Sequence, residues 1–212
     1  MTDNIANHLI HQRFRGYYPV VVDVETGGLD AQKDALLEVA VVTIDCSNDG
    51  KLIPGEIKHH HIVPFKDSNI SEESLKITGI DPYHPFRFAV EEAIALKEIF
   101  KLLKTKQKEA KCNRCILVGH NSWFDLSFIN AAAKRSNLKK NPFHPFTSFD
   151  TATLAGLVYG HTVLAQAAKI ADISFVHEES HSAVYDATKT AELFCKIVNQ
   201  WPWNFVTAEA MP

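Results

Sequence analysis

Two carboxylates stand two residues apart near the end of an apolar, β-branched run, Tyr18-Pro19-Val20-Val21-Val22-Asp23-Val24-Glu25-Thr26-Gly27-Gly28. Strand side chains alternate with period 2, so Asp23 and Glu25 share one face and Val22 and Val24 take the other. Burying like charges costs on the order of several kcal/mol per ion unless something compensates. A hard divalent cation does so, because Mg²⁺ takes oxygens from one or two carboxylates together with substrate phosphates. Taken alone, the triplet reads first as a strand end that reaches water with both acids solvated. Other residues have to decide.

Two further places offer acids. Asp125 follows the short apolar run Ile116-Leu117-Val118-Gly119 and falls in the first turn of a helix expected from about Trp123 to Asn137. A helix dipole favours an acid there by about 0.3–1 kcal/mol whatever its use. His181-Ser182-Ala183-Val184-Tyr185-Asp186 heads the last long helix, expected over Ala183 to Gln200 with Val184, Ala187, Ala191, Phe194 and Val198 on one side. At about 100° per residue, five positions would set His181 and Asp186 about 140° apart on one helix. The histidine therefore belongs in the preceding loop if both face one cleft.

The elements that must position these residues follow from periodicity. A second strand is expected over Asp34 to Asp45 and a third around His59 to Val63, with Asp49-Gly50 as a tight turn between them. His59, His60 and His61 resemble a metal tract, but adjacent strand residues point to opposite faces and the three cannot converge; they read as strand filler. Ser71 caps a short helix that stops at Gly79. A longer amphipathic helix follows Pro85, with Val90, Ala93, Ile94, Ile99, Leu102 and Leu103 as its apolar side. Pro142 and Pro145 interrupt the chain, and helical segments are expected around Thr153 to Val158 and Leu164 to Ala171. Early strands followed by strands alternating with helices indicate an α/β fold, a mixed sheet with helices packed around it.

The totals agree with one ordinary globular domain over residues 1–212, with a short arm (1–17) and a tail (202–212). No apolar run approaches the ~20 residues of a membrane helix. The start has an early acid and no apolar h-region, so no secretory signal is expected, and the cytoplasm is the expected compartment. Cys112 and Cys115 form a lone C-x-x-C without a second pair at zinc spacing, and Cys115 reads as core. A net charge of −3 excludes a uniformly basic nucleic-acid coat and leaves local patches open. Basic residues cluster at Arg13 and Arg15, from Lys101 to Arg114, and from Lys134 to Lys140.

The ordered set Asp23-x-Glu25, Asp125 and His181-x₄-Asp186 resembles the histidine-bearing (DEDDh) branch of the DEDD exonuclease superfamily. The likeness is closer still to the ribonuclease T family. It runs through Arg13-Phe14-Arg15-Gly16-Tyr17-Tyr18-Pro19, Asn121 to Asp125, Asn141-Pro142-Phe143-His144-Pro145-Phe146, Phe149-Asp150-Thr151-Ala152 and His181 to Cys195. The resemblance implies an RNase H-like fold with a mixed five-stranded sheet and a homodimer. It also implies a 3′→5′ exonuclease that trims tRNA and other small stable RNAs, acts on single-stranded DNA 3′ ends, and releases nucleoside 5′-monophosphates. By this likeness Asp23, Glu25 and Asp186 bind two Mg²⁺ ions and Asp125 completes the acidic quartet. His181, with a reference pKa of ~6.5, suits a general base near neutral pH and lies close enough to count with the metal site.

The same likeness implies a substrate grip. Phe124 and Phe146 match positions that stack 3′-terminal bases, Glu73 one that contacts the base between them, and Leu29 and Ile77 stand where the family usually has Phe. Arg13, Arg15, Lys108, Arg114 and Lys139 match an RNA-binding patch that serves the other subunit's active site. Two other readings compete: an exonuclease directed to DNA, and a non-catalytic module that binds 3′ ends. The intact acid and histidine set argues against the second.

Overall fold

Valine and isoleucine density makes strands of the first three apolar runs, because β-branched side chains pack well on a pleated surface. In the computed structural model, which describes residues 9–201, β1 (Tyr17–Thr26), β2 (Leu36–Cys46) and β3 (Leu52–His61) form an antiparallel meander. β4 (Arg114–Gly119) lies parallel to β1, and β5 (Phe143–Asp150) parallel to β4. The sheet order is β3-β2-β1-β4-β5, so β1 is central. Val20, Val21 and Val22 are buried on both faces. The Asp49-Gly50 turn joins β2 to β3, with Gly50 at φ 81°, a conformation that a side chain would strain.

Among the described residues six further α-helices carry the rest: α1 (Glu72–Thr78), α2 (Glu92–Glu109), α3 (Trp123–Arg135), α4 (Thr151–Tyr159), α5 (Leu164–Ile170) and α6 (Ala183–Gln200). A helical turn at 9–13 leads into β1. α6 packs on β1, β2 and β3, while α2 and α3 pack on β1 and β4. Residues 1–8 of the expected arm and the whole expected tail lie outside the described residues. No helix among the described residues is long and apolar enough to cross a membrane.

Three expectations need correction. β3 begins at Leu52, not near His59, and pairs with β2 from Cys46↔Leu52 to Glu38↔His61. Pro54 and Gly55 hide its first half. They are tolerated because β3 is an edge strand, where a missing ladder N–H can face outward. Pro145 likewise does not interrupt the chain but sits inside β5, the opposite edge. In α2 the buried face is Glu92, Ala95, Leu96, Ile99, Phe100 and Leu103, while Ile94 is exposed. The phase was obscured by a charge on the buried side. Glu92 is bound at both oxygens by Arg135, at 3.0 Å from Nε and 2.7 Å from Nη2.

Arg135 also donates to the Ala31 carbonyl at 2.7 Å, tying α2, α3 and the loop after β1 together. Removing one partner of a buried, bidentate pair strands the other charge, which costs about 3–5 kcal/mol. We expect Arg135→Ala to lose roughly 3 kcal/mol in urea unfolding, the low end of that range because Arg135 is partly exposed. Arg135→Ala/Glu92→Met should recover most of the loss.

Candidate active site

Asp23 and Glu25 project from the end of β1, and α6 brings Asp186 to them from its first turn. One carboxylate oxygen from each of the three lies within 4.8 Å of the others. Asp186 Oδ2 accepts the backbone N–H of His181 at 3.0 Å, whereas its Oδ1 is buried with no hydrogen-bond partner. His181 stands in the loop before α6 at φ 65°, as the angular argument requires. Its ring is not one of the three ligand groups of this cluster.

Asp125 is held from a different direction. It sits in the first turn of α3, 4% exposed, and its Oδ1 accepts the backbone N–H of Val24 at 3.1 Å, between the two acids of β1. Gly119 makes this approach possible. A Cβ there would lie 2.8 Å from Asp125 Oδ2 and 3.0 Å from Ser122 Cα. That glycine escaped the sequence reading, where it marked only the end of a strand.

Electrostatics show what the cluster lacks. Burial, then the charges of Asp125, Glu25 and Asp186, push Asp23 well above the ordinary carboxylate value. Glu25 is pushed up to about 8, by burial first and then by Asp186 and Glu38. Burial raises Asp186 and Asp125 as well, against the N–H bonds that each accepts. A divalent cation would relieve this repulsion and partner the bare Asp186 Oδ1. The donor set is all oxygen, which suits a hard ion.

Of the expected grip residues, Leu29 and those of α1 lie near the end of β1, whereas Phe146 lies level with its first residues. The Ser71 N–H donates to the Gly27 carbonyl at 2.8 Å, which docks the start of α1 beside that end. α1 thereby carries Glu73 and Ile77 in exposed positions, and Leu29 follows the strand with 82% exposure. Phe146 is exposed on β5. Phe124 is half-buried, its ring 4.9 Å from Phe128 and 5.8 Å from the exposed Trp123, a surface aromatic that the sequence reading passed over.

The basic residues lie elsewhere. Arg13 and Arg15 precede β1, Arg114 opens β4, and Lys108 and Lys139 flank α2 and α3 where those helices end. Lys108 and Lys139 line a groove of about 1040 Å³ with Lys97, Lys101, Lys104 and Lys140. Arg13 donates to the Val198 carbonyl at the far end of α6. Tyr17, paired with Arg114 in the parallel register, is six residues from Asp23, roughly 20 Å along a strand at ~3.3 Å per residue. The patch and the acids thus occupy opposite ends of the sheet, and the chain does not bring them together.

The exonuclease family model matches residues 20–194. The Ribonuclease T of Shewanella denitrificans is 53% identical over 99% of this chain and 94% of its own length. That of Vibrio cholerae is 54% identical over 95% and 90%. The chain belongs to the ribonuclease T family. Its function is that of a 3′→5′ exonuclease, a hydrolytic nuclease. E. coli exonuclease I, solved with a dT13 oligonucleotide, shares the fold at TM-score 0.64 and 19% identity, over 86% of this chain and 41% of the longer one. A full-length 3′-exonuclease gives 0.66 at 20% identity, over 87% and 62%.

A carboxyl whose folded pKa is raised binds more protons folded than unfolded, so stability falls as pH rises through the window between the two values. For Glu25 that window runs from 4.5 to about 8; Asp23 and Asp186 act in the same direction. Metal-free protein is therefore expected to melt at progressively lower temperature across this window. Asp23→Asn should melt higher at its upper end and show a flatter profile, read by thermal unfolding in EDTA.

Proposed function

We propose that the chain is a homodimeric, Mg²⁺-dependent exoribonuclease of one domain over residues 1–212. It trims the 3′ ends of tRNA and other small stable RNAs, and it also acts on single-stranded DNA 3′ ends. The observation that carries this reading is the cluster of Asp23, Glu25 and Asp186, with one buried oxygen unpartnered, every acid raised by burial, and Asp23 and Glu25 raised further by neighbouring carboxylates. Its resemblance to proteins named Ribonuclease T supports RNA as the substrate. Four free cysteines among the described residues agree with a reducing compartment, the cytoplasm.

In this reading Asp23, Glu25 and Asp186 hold two Mg²⁺ ions, which together supply an activated water, charge neutralisation at the phosphate and stabilisation of the departing oxygen. Asp125 fixes the geometry of β1 through the Val24 N–H and adds negative charge behind Asp23. His181 takes up a proton from the attacking water at a free ring nitrogen. Its backbone N–H on Asp186 keeps the loop and the ligand in one arrangement. The 3′-terminal bases lie against Phe124, Phe146, Leu29 and Ile77, with Glu73 between them, and the product is a nucleoside 5′-monophosphate.

Arg13, Arg15, Lys108, Arg114 and Lys139 bind the body of the RNA. Their position at the far end of the sheet supports the homodimer, since one subunit's patch can then serve the other's acids.

Asp23→Asn should abolish release of mononucleotides from 3′-labelled tRNA and single-stranded DNA with Mg²⁺. The loss should exceed the roughly 10–100-fold that removal of an outer partner costs; near-normal rates would remove the site assignment. Comparing wild-type rates on the two substrates separates RNA trimming from a DNA-directed activity. For the dimer, Asp186→Asn chains mixed with Arg15→Ala/Arg114→Ala chains should regain part of the activity that neither shows alone. A mixture no better than its components would count against action across subunits.

A further inference from the structure

β2 and β3 carry a second set of ligand-type atoms outside the acid cluster. Glu38 pairs in register with His61, and His59 lies two residues back on the same strand. His59 and His61 therefore share a face with Glu38, while the His60 ring turns away to Glu98 at 3.4 Å. Glu38 Oε1 is 2.8 Å from His61 Nδ1, and Oε2 is 3.6 Å from His59 Nε2. One donor atom from each of the three lies within 4.8 Å of the others. The His59 Nε2 is shut off from solvent and makes no hydrogen bond, because 3.6 Å is too long for one.

We propose that Glu38, His59 and His61 form a second metal site, a two-histidine, one-carboxylate set for a transition-metal dication of the Zn²⁺ type. Zinc holds imidazole nitrogen and carboxylate oxygen at about 2.0–2.2 Å, so tetrahedral donors sit about 3.3–3.6 Å apart. The His59–Glu38 separation fits as it stands. The His61 contact is with the other oxygen, Oε1 at 2.8 Å, a hydrogen bond without metal; it opens as His61 Nδ1 gives up its proton and the carboxylate turns one oxygen to the ion. Three protein donors leave a fourth position for water.

The surroundings suit such an ion. The His59 and His61 side chains are 24% and 35% exposed, which leaves an entry path, whereas Glu38 is buried. Arg87 lies 3.7 Å from Glu38 Oε1, where its charge opposes a cation, and Glu25 pairs with Glu38 across β1 and β2. Arg87 Nη2 also donates to the Leu37 carbonyl at 2.9 Å. Imidazole donors favour zinc, while the all-oxygen cluster next door favours Mg²⁺. Donor type thus sorts two cations between neighbouring positions on one sheet.

Full-length chain stripped with chelator, then given Zn²⁺ in a large excess of Mg²⁺, should retain one zinc per chain after gel filtration. Its X-ray absorption spectrum should show two imidazoles. His59→Gln and His61→Gln should each weaken zinc binding at least about tenfold, comparable to or beyond loss of an outer partner, with unchanged circular dichroism. Asp23→Asn should still bind zinc. Retention unaffected by either histidine variant, loss in Asp23→Asn instead, or a spectrum without imidazole would each overturn the site. None of these readouts uses nuclease activity, so the proposal stands or falls separately from the exoribonuclease reading.

Discussion

Mutual repulsion among carboxylates at the end of β1 is the constraint that the fold has to hold against. Asp23, Glu25, Asp125 and Asp186 each raise the proton affinity of at least one neighbour or are themselves raised by burial. Loose side chains would swing apart into water. Here the acids are kept together by backbone: Val24 N–H on Asp125, His181 N–H on Asp186, and the bare Cα of Gly119 that lets α3 close in. β1 can bear this because it is the central strand, packed on both faces by valines and covered by α6 and α3. The apolar framework supplies the stability, and the site draws on it until a cation arrives.

The sheet also separates charge along its length. Parallel β1 and β4 end at the acids, and the helices that connect the strands return to the opposite end, where the basic residues gather. A net charge of −3 for the chain therefore conceals two unlike poles. Attraction between unlike poles of two chains runs antiparallel, which is the arrangement that would put each patch beside the other chain's acids. Composition alone could not reveal this, because it sums what the topology keeps apart.

Much was legible in the sequence where periodicity and backbone chemistry act locally. The first two strands, the capped α1 with Gly79, the bounds of α6 and the loop position of His181 follow from side-chain period, caps and angular spacing. What was hidden depends on partners far along the chain. Pro54 and Pro145 read as breaks because their harmlessness comes from being at sheet edges. The phase of α2 was misread because Glu92 is buried only by virtue of Arg135. Glu38, His59 and His61 meet through the β2–β3 register. A tract of three histidines was correctly denied a three-way convergence, yet two of them converge on a glutamate twenty-one residues away from the nearer one.

The exposed apolar side chains near the end of β1 pose the remaining question of how a strand end is gripped. Leu29 and Ile77 can exclude water from a base but offer no π-face, and stacking on an aromatic is worth roughly 1–3 kcal/mol per base. In the proposed reading the grip then rests more heavily on Phe124 and Phe146. Phe124 is braced by Phe128, so its ring is held in place before any base arrives, whereas Phe146 stands free beside the His144 ring. A braced ring loses less freedom on binding than a free one, which makes Phe124 the firmer of the two contacts. Trp123 adds an exposed aromatic at the same helix start, edge-on to Phe124. Base preference in this chain should therefore be governed from the α3 side of the site, with the α1 side contributing shape and exclusion of water.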